Sequence, residues 1–470
     1  MALSEDDLNA VLEDGIDAQN PGKYADLLTD LQGNILRGHG RDHSVHLFLK
    51  FKEGGVNAAK EWIEYFAKTY VKSAKQQSDE AARYRKEGIS GDLFANFMLA
   101  HDGYKYLGIK PFKMPKDEPF RFGMKNESVR NLLGDPAVDD WEEGYKDSLH
   151  ALIIMADDDV MDLLQGVNQM TQGLRQVAEI VNREDGFILR NSKGQIVEHF
   201  GFVDGVSQPL FLKRDIVRSR VNHCGFSKWD PRAPLSIILE KDRNGQTKDS
   251  YGSYLVYRKL EQNVKGWNEN VVSLGKDLEV EPELAGAYTM GRFQDGTPLV
   301  MSDTPSHAAT PTNNFNFEND TKATKCPFHA HIRKTNPRGD TGRAPAAPSY
   351  DQAFEAELNH RIARRGISYG DNDLTHEPET GSGLLFLCFQ ASIENQFNFM
   401  QAVWANQPKF VQVGVGPDPV IGSPEGSQNW PKEWGEEATE NIPFKLWVKM
   451  KGGEYFFAPS ISCLTNITSI

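Results

Sequence analysis

The side chains best suited to metal and redox chemistry crowd into one run of thirteen residues, Cys326-Pro-Phe-His-Ala-His-Ile-Arg-Lys-Thr-Asn-Pro-Arg338. Imidazole and thiolate are the groups that bind iron, copper or zinc, and the cations of the run would suit a cofactor that carries carboxylates. His329 and His331 lie two apart, so a strand would place them on one face and a helix would separate them. Each reads either as a solvated or core histidine or as an axial imidazole. Cys326 competes as a thiolate ligand if cations such as Lys325 and Arg333 lower its pKa, and C-x-x-H-x-H is not a usual zinc spacing. A second cluster is His199-Phe-Gly-Phe-Val-Asp-Gly-Val-Ser-Gln-Pro209. Its Asp204-Gly205 pair is turn chemistry, or Asp204 is a carboxylate held in a dry cavity as a general base requires. A third, Arg361-Ile-Ala-Arg-Arg-Gly-Ile-Ser-Tyr-Gly370, is a solvated basic face or a turn that aims one arginine into a site at a strand edge.

The elements that position these clusters must be spread over two cores, because 470 residues exceed one ordinary domain. A hydrophobic content of 39% with 25% charge is that of a soluble globular chain, and a net charge of -14 argues against nucleic-acid binding. Cys224, Cys326, Cys388 and Cys463 are too scattered for a disulfide framework, and without C-x-x-C-H no covalent haem attachment is expected. The acidic N-terminus lacks the regions of a signal peptide, and no apolar run nears the ~18 residues of a membrane span. A cytoplasmic location is expected, with export by an unrecognised route as the alternative.

Residues 1–25 are expected as a mobile acidic arm, and residues 31–40, rich in glycine, as a structured loop. Apolar runs at 46–51, 149–155, 186–190, 254–260 and 383–389 read as strands. Helices are expected at 58–72, at 160–181 after the capping run Asp157-Asp-Asp159, at 264–272 and at 393–405. Residues 444–450 and 455–458 have hairpin spacing around Gly452-Gly453. Segments 302–324 and 336–350 read as irregular. Each half thus follows a strand–helix–strand–helix–strand plan, the order of a ferredoxin-like α+β unit, and Trp267 echoes Trp62 after the first strand of each. The reading divides the chain into an arm at 1–25, a first module at 26–215 and a second at 216–470.

Four stretches in order carry a resemblance: residues 31–40, Gly201-Phe-Val-Asp-Gly205, Ala330-His-Ile-Arg-Lys334 with Asn336-Pro-Arg338, and Arg364-Arg-Gly-Ile-Ser-Tyr-Gly370. Together the sequence resembles the dye-decolorising peroxidases, in their longer, fungal-like branch. The resemblance implies an α+β fold of tandem ferredoxin-like modules, antiparallel sheets with surrounding helices, and haem in the second half. It implies one non-covalent haem b per chain, with His331 as the proximal iron ligand rather than His329 or Cys326. Asp204 becomes the distal acid–base residue and Arg364 the distal arginine, Arg365 being second choice. Asp418, in Gly416-Pro-Asp-Pro-Val-Ile-Gly422, is the candidate acceptor for the proximal imidazole N–H, and Leu384 and Phe386 are candidates for the distal wall. Arg333 is a candidate to pair with a haem propionate, a surface position being its alternative. Ser368 departs from the pattern, since the branch commonly has Pro there.

The implied partners are hydrogen peroxide and aromatic dye or phenolic donors, the bulky ones oxidised through surface Tyr or Trp residues that the sequence does not single out. A carboxylate base implies an acidic working range, its unperturbed pKa being about 4 against histidine's ~6.5. The alternative function is a haem-binding or haem-delivery protein without strong turnover, which would use His331 without needing Asp204 and Arg364 together. A third reading is a non-haem metal hydrolase that uses the histidines.

Overall fold

The computed structural model describes residues 2–308, 310–343 and 349–470. Four strands come from the first part of the chain: β1 (His43–Phe51), β2 (Phe94–Leu99), β3 (Ala151–Asp157) and β4 (Ala178–Phe187). They lie side by side as β4-β1-β3-β2, every neighbour antiparallel. The second part supplies β5 (Glu240–Lys241), β6 (Tyr251–Gln262), β7 (Ala363–Arg364), β8 (Ile367–Tyr369), β9 (Gly383–Gln390) and β10 (Val448–Ala458). Its four main strands lie as β10-β6-β9-β8, the same fourth–first–third–second order. This is the ferredoxin-like unit twice over. The two sheets meet at Ser368 opposite Phe187 and at Phe457 opposite Leu99, so the eight strands close into a ring without a free edge.

The repeat extends to an irregularity. Opposite the first strand of each unit, the fourth carries one extra residue: Val181 between the pairs Phe48–Asn182 and Leu49–Ile180, and Lys451 between Leu260–Met450 and Lys259–Gly452. The expected hairpin at 444–458 is therefore wrong. Gly452-Gly453 directly follows the bulged Lys451 inside one continuous strand, and glycine is needed at 452 because a Cβ there would stand 2.4 Å from the Tyr145 ring.

Helices α1 (Val56–Thr69) and α2 (Val160–Val177) belong to the first unit and α3 (Val264–Leu278) to the second. On α1, Ala59, Trp62, Ile63 and Phe66 form a buried stripe at helical spacing. Asp159 caps α2 by accepting the N–H groups of Met161 and Asp162 at 2.7 and 3.2 Å. That helix ends at Val177, four residues before the expected 181, because β4 starts directly at Ala178 and no breaker residue marks the change. Strands β2 and β8 escaped the sequence reading. Every residue of β2 is buried, which removes the alternation that betrays a half-exposed strand.

The helix expected at 393–405 is wound in the wider π form, with N–H groups of Asn398 and Asn406 donating to Ile393 and Gln401 five residues back. Residues 1–25 are not a loose arm where described. Leu3 and Ile16 are buried, the Leu3 N–H donates to Asp249 Oδ1 at 2.8 Å, and Ile16 bridges to Leu212. The irregular segments 302–324 and 336–350 lie partly outside the described residues. No described helix is long and apolar enough to cross a membrane.

Candidate active site

A cavity of about 520 Å³ lies against the second sheet, within the size range of small-molecule and cofactor sites. Alternate residues of each strand wall it: Arg258, Leu260 and Gln262 of β6, Leu384 and Phe386 of β9, Val448 and Met450 of β10. Leu385 and Leu387 point the other way, into the core. Phe397, Met400 and Gln401 of the π-wound segment face the strands across the cavity.

His331 lines the cavity as the first residue of α4 (His331–Thr335). Its Nδ1 stands 2.8 Å from Asp418 Oδ2. Asp418 is fully buried, and its Oδ1 accepts the N–H groups of Val420 and Ile421 at 2.8 and 3.1 Å. A carboxylate so gripped fixes the imbalance between the two imidazole nitrogens: Nδ1–H is donated to Asp418, and Nε2 keeps its lone pair for the cavity.

Asp204 is both a turn residue and a cavity residue. Its N–H donates to Ile196 O at 3.0 Å, and Gly205 takes φ 76°, the left-handed conformation that glycine tolerates. Arg364, on β7 beside Cys388 of β9, donates from Nη1 to Asp204 Oδ1 at 2.8 Å, while Gly205 N–H reaches the same oxygen at 2.6 Å. Burial alone would raise the Asp204 carboxyl. The Arg364 guanidinium, the Gly205 N–H and the imidazole of His331 outweigh it and hold the pKa below the usual carboxylate value. Arg365 points away and donates to the carbonyls of Asn34 and Ile35, which ties the 31–40 loop to β7.

Arg333 corrects the expectation placed on it. It neither lines the cavity nor lies at the surface. Its guanidinium is completely buried, Nε on Asp340 at 2.5 Å and Nη1 on Asp320 at 2.8 Å, between the rings of Phe317 and Phe328. The thiolate reading of Cys326 also fails. Burial pushes the thiol up to about 12 although Arg333 works against it, and Cys326 lies in an apolar cluster rather than on the cavity. His329 is buried against Trp430, ring centroids 4.3 Å apart. No group of three or more potential metal ligands occurs among the described residues.

Other residues reach the cavity without having been singled out for it: Glu198, Gln262, Arg258 and Arg292, with Arg338 and Arg361 from clusters already noted. Arg292 is buried and donates to the carbonyls of Gly296 and Thr312, and burial pulls its pKa down to about 9; Arg361 is pulled to about 10 in the same way. Neither has a carboxylate in ion-pair contact among the described residues. Arg292 stands alone in sequence, so no local signal could have found it.

Residues 227–410 match the family described as Dyp-type peroxidase, C-terminal. Over 95% of its length the chain is 38% identical to the multifunctional dye peroxidase DyP2 of an Amycolatopsis species, 97% of which is covered. The chain belongs to the DyP-type peroxidase family. Its structure matches that of an Anabaena DyP-type peroxidase with a TM-score of 0.98, at 64% identity over 99% of this chain and 100% of that one. The structure of DyP2 from Amycolatopsis gives 0.91, at 36% identity over 98% and 100%. The chain is thus a peroxidase with the α+β fold of this family, and haem iron follows from that membership.

The cavity of this DyP-type peroxidase fits such a group. One imidazole nitrogen is left over for iron, the strand and π-segment walls are largely apolar, and Arg292 and Arg361, which make no ion pair among the described residues, suit anionic groups such as carboxylates.

Proposed function

We propose that this peroxidase binds one haem b without a covalent link, through His331 Nε2, and reduces hydrogen peroxide while oxidising dyes and phenolic or other aromatic donors. Two electrons, taken from two donor molecules, and two protons convert one peroxide into two waters. The haem, when bound, supplies the iron that accepts oxidising equivalents from peroxide and passes them to donors. Asp418 orients His331 and increases its donation by accepting Nδ1–H. Arg292 and Arg361 neutralise the propionates.

Asp204 moves the proton. Its Oδ1 is occupied by Arg364 and Gly205, and Oδ2 has no hydrogen-bond donor among the described residues. Oδ2 accepts the proton of the inner peroxide oxygen and returns it to the outer oxygen, which departs as water. The Arg364 guanidinium serves as a fixed donor to the charge that develops as the O–O bond breaks. Leu384 and Phe386 keep bulk water from that exchange. The observation that carries the reading is the contact of Asp204 with Arg364 in the same cavity as the Asp418-held His331.

The test is an absorption spectrum of the purified protein with and without peroxide, followed by dye oxidation. A Soret band that peroxide shifts within seconds, with catalytic bleaching of dye, is the expected result. Haem uptake without peroxide-driven turnover would reduce the chain to a haem carrier.

A further inference from the structure

Glu198 is a cavity-lining carboxylate with no part in the chemistry described above. It stands six residues before Asp204, at the start of the turn that delivers that residue. Its Oε2 accepts the N–H of Phe200 at 3.0 Å, and its Oε1 accepts the N–H of Phe202, also at 3.0 Å. Gln262 Nε2, from the end of β6, donates to Oε2 at 2.5 Å. The backbone closes round the same turn: Gly201 N–H donates to Glu198 O, and Asp204 N–H to Ile196 O. The opposite side is held by Gln294, whose Nε2 donates to Phe200 O.

We propose that Glu198 is a positioning residue for the peroxide reaction: by binding the N–H groups of Phe200 and Phe202 it fixes the turn that carries Asp204 to Arg364. The inference rests on the reading of Asp204 as the proton carrier. Phe200 and Phe202 pack on Trp267, at 4.3 and 6.3 Å between ring centroids, so the turn is anchored to α3 by its rings and to the cavity wall by Glu198. Without the carboxylate, two buried N–H groups beside the reacting atoms lose their acceptor and the turn relaxes.

The grip does not depend on the charge of Glu198. Burial pushes the carboxyl up to about 7 against its three hydrogen bonds, with Asp204 adding to the rise. Gln262 Oε1 is buried without a hydrogen-bond partner among the described residues. A half-turn of that amide therefore gives a protonated Glu198 an acceptor, while both backbone N–H bonds persist. Asp204 on the same turn, Arg258 of β6 and Lys449 of β10 share this cavity with Glu198, as do the charged side chains of Asp135, Arg292, Arg338, Arg361 and Arg364 and the imidazole of His331.

The test uses haem-loaded enzyme. Glu198→Ala should lower kcat/KM for peroxide about tenfold to a hundredfold while the KM for dye stays as in wild type. Glu198→Gln, which keeps one acceptor oxygen, should lie between the two. Wild type should show no inflection in kcat/KM for peroxide near pH 7, and Gln262→Leu, which removes the acceptor for the protonated form, should introduce one. A Glu198→Ala enzyme as fast as wild type overturns the proposal, as does equal slowing in Glu198→Ala and Glu198→Gln together with a raised dye KM. If Glu198→Ala does not fold, Glu198→Gln decides alone: a wild-type rate overturns the proposal, and a slowed rate at unchanged dye KM upholds it. Asp204→Ala in the same assay separates the two levels. If it is slow and Glu198→Ala is not, only this inference fails; if it too is as fast as wild type, the reading of the site fails.

Discussion

The two sheets share strand order and bulge position, yet only the second walls the cavity that His331 and Asp204 reach. In the first, α2 lies directly on β1 and β3, with Leu163, Val167, Met170 and Leu174 filling the space between. None of the cavity-lining residues comes from β1–β4. In the second, the segment in the corresponding place after β9 is π-wound and stands off, and the space it leaves is walled by Arg258, Gln262, Leu384 and Phe386. Topology alone therefore does not make the site. What does is the substitution of an aliphatic helix stripe by a widened turn and a few polar side chains, which a duplicated scaffold tolerates because its other copy keeps a complete core.

The largest expected effect falls on the open side. His331→Ala should abolish the Soret band of correctly ligated haem, whereas His329→Ala should retain it, because His329 is sealed against Trp430. A retained band in the first variant would break the assignment of iron to this wall. Next, Asp204→Asn should keep haem but lower the rate with peroxide by about 10²–10⁴, read by stopped-flow. Its pH dependence follows from the depressed carboxyl. The base is ionised above a pKa lower than its ordinary value of about 4, so the rate should persist into acid and be lost only as pH falls through that lowered value. The same sign holds for stability: the contact with Arg364 contributes fully above the unfolded pKa and disappears as pH falls through the folded one. A rate lost already near pH 6 would mean that burial, not Arg364, controls Asp204.

What was legible in the sequence had local causes. His331 and Asp204 stand in short motifs whose residue types are unusual together, and both reach the cavity. The ferredoxin-like order was visible from five apolar runs and the helices between them. What was not legible depended on contacts distant in sequence. Arg333 stands two residues after His331 and next to Lys334, so it was read with the cofactor or at the surface, but its charge is spent on Asp320 and Asp340 in a closed cluster. Arg292 reaches the cavity through a turn that no neighbour announces. Gly452-Gly453 carried a true signal of irregular backbone that a bulge and a hairpin share, and only the register with β6 separates them.

The closed cluster of Arg333, Asp320 and Asp340 contrasts with the cavity-facing pair of Asp204 and Arg364. Arg333→Ala would leave Asp320 and Asp340 buried without their cation and should destabilise the fold by about 3–5 kcal/mol, measured by denaturant unfolding. The peroxide rate per bound haem should stay near wild type. A selective loss of rate at unchanged stability would return Arg333 to the site.

The smallest effect tests whether the two bulges are equivalent. One short helix, Glu143–Lys146, wedges against both. Its Tyr145 ring lies against Gly452 and packs edge-on against Phe48 at 5.1 Å, and its Gly144 lies against Asn182. A Cβ would stand 2.4 Å from Tyr145 at Gly452, and 2.6 Å from Asn182 at Gly144. Gly452→Ala and Gly144→Ala should therefore each cost about 1–3 kcal/mol by overpacking, read as a drop in Tm, with peroxide kinetics unchanged because neither glycine borders the cavity. Gly452 also takes φ 148°, a conformation that alanine resists, so its variant should be the less stable of the pair. Equal costs would show that the wedge rather than the backbone conformation sets the requirement. No cost at Gly452 would mean that the second sheet, already opened by its cavity, yields where the first cannot.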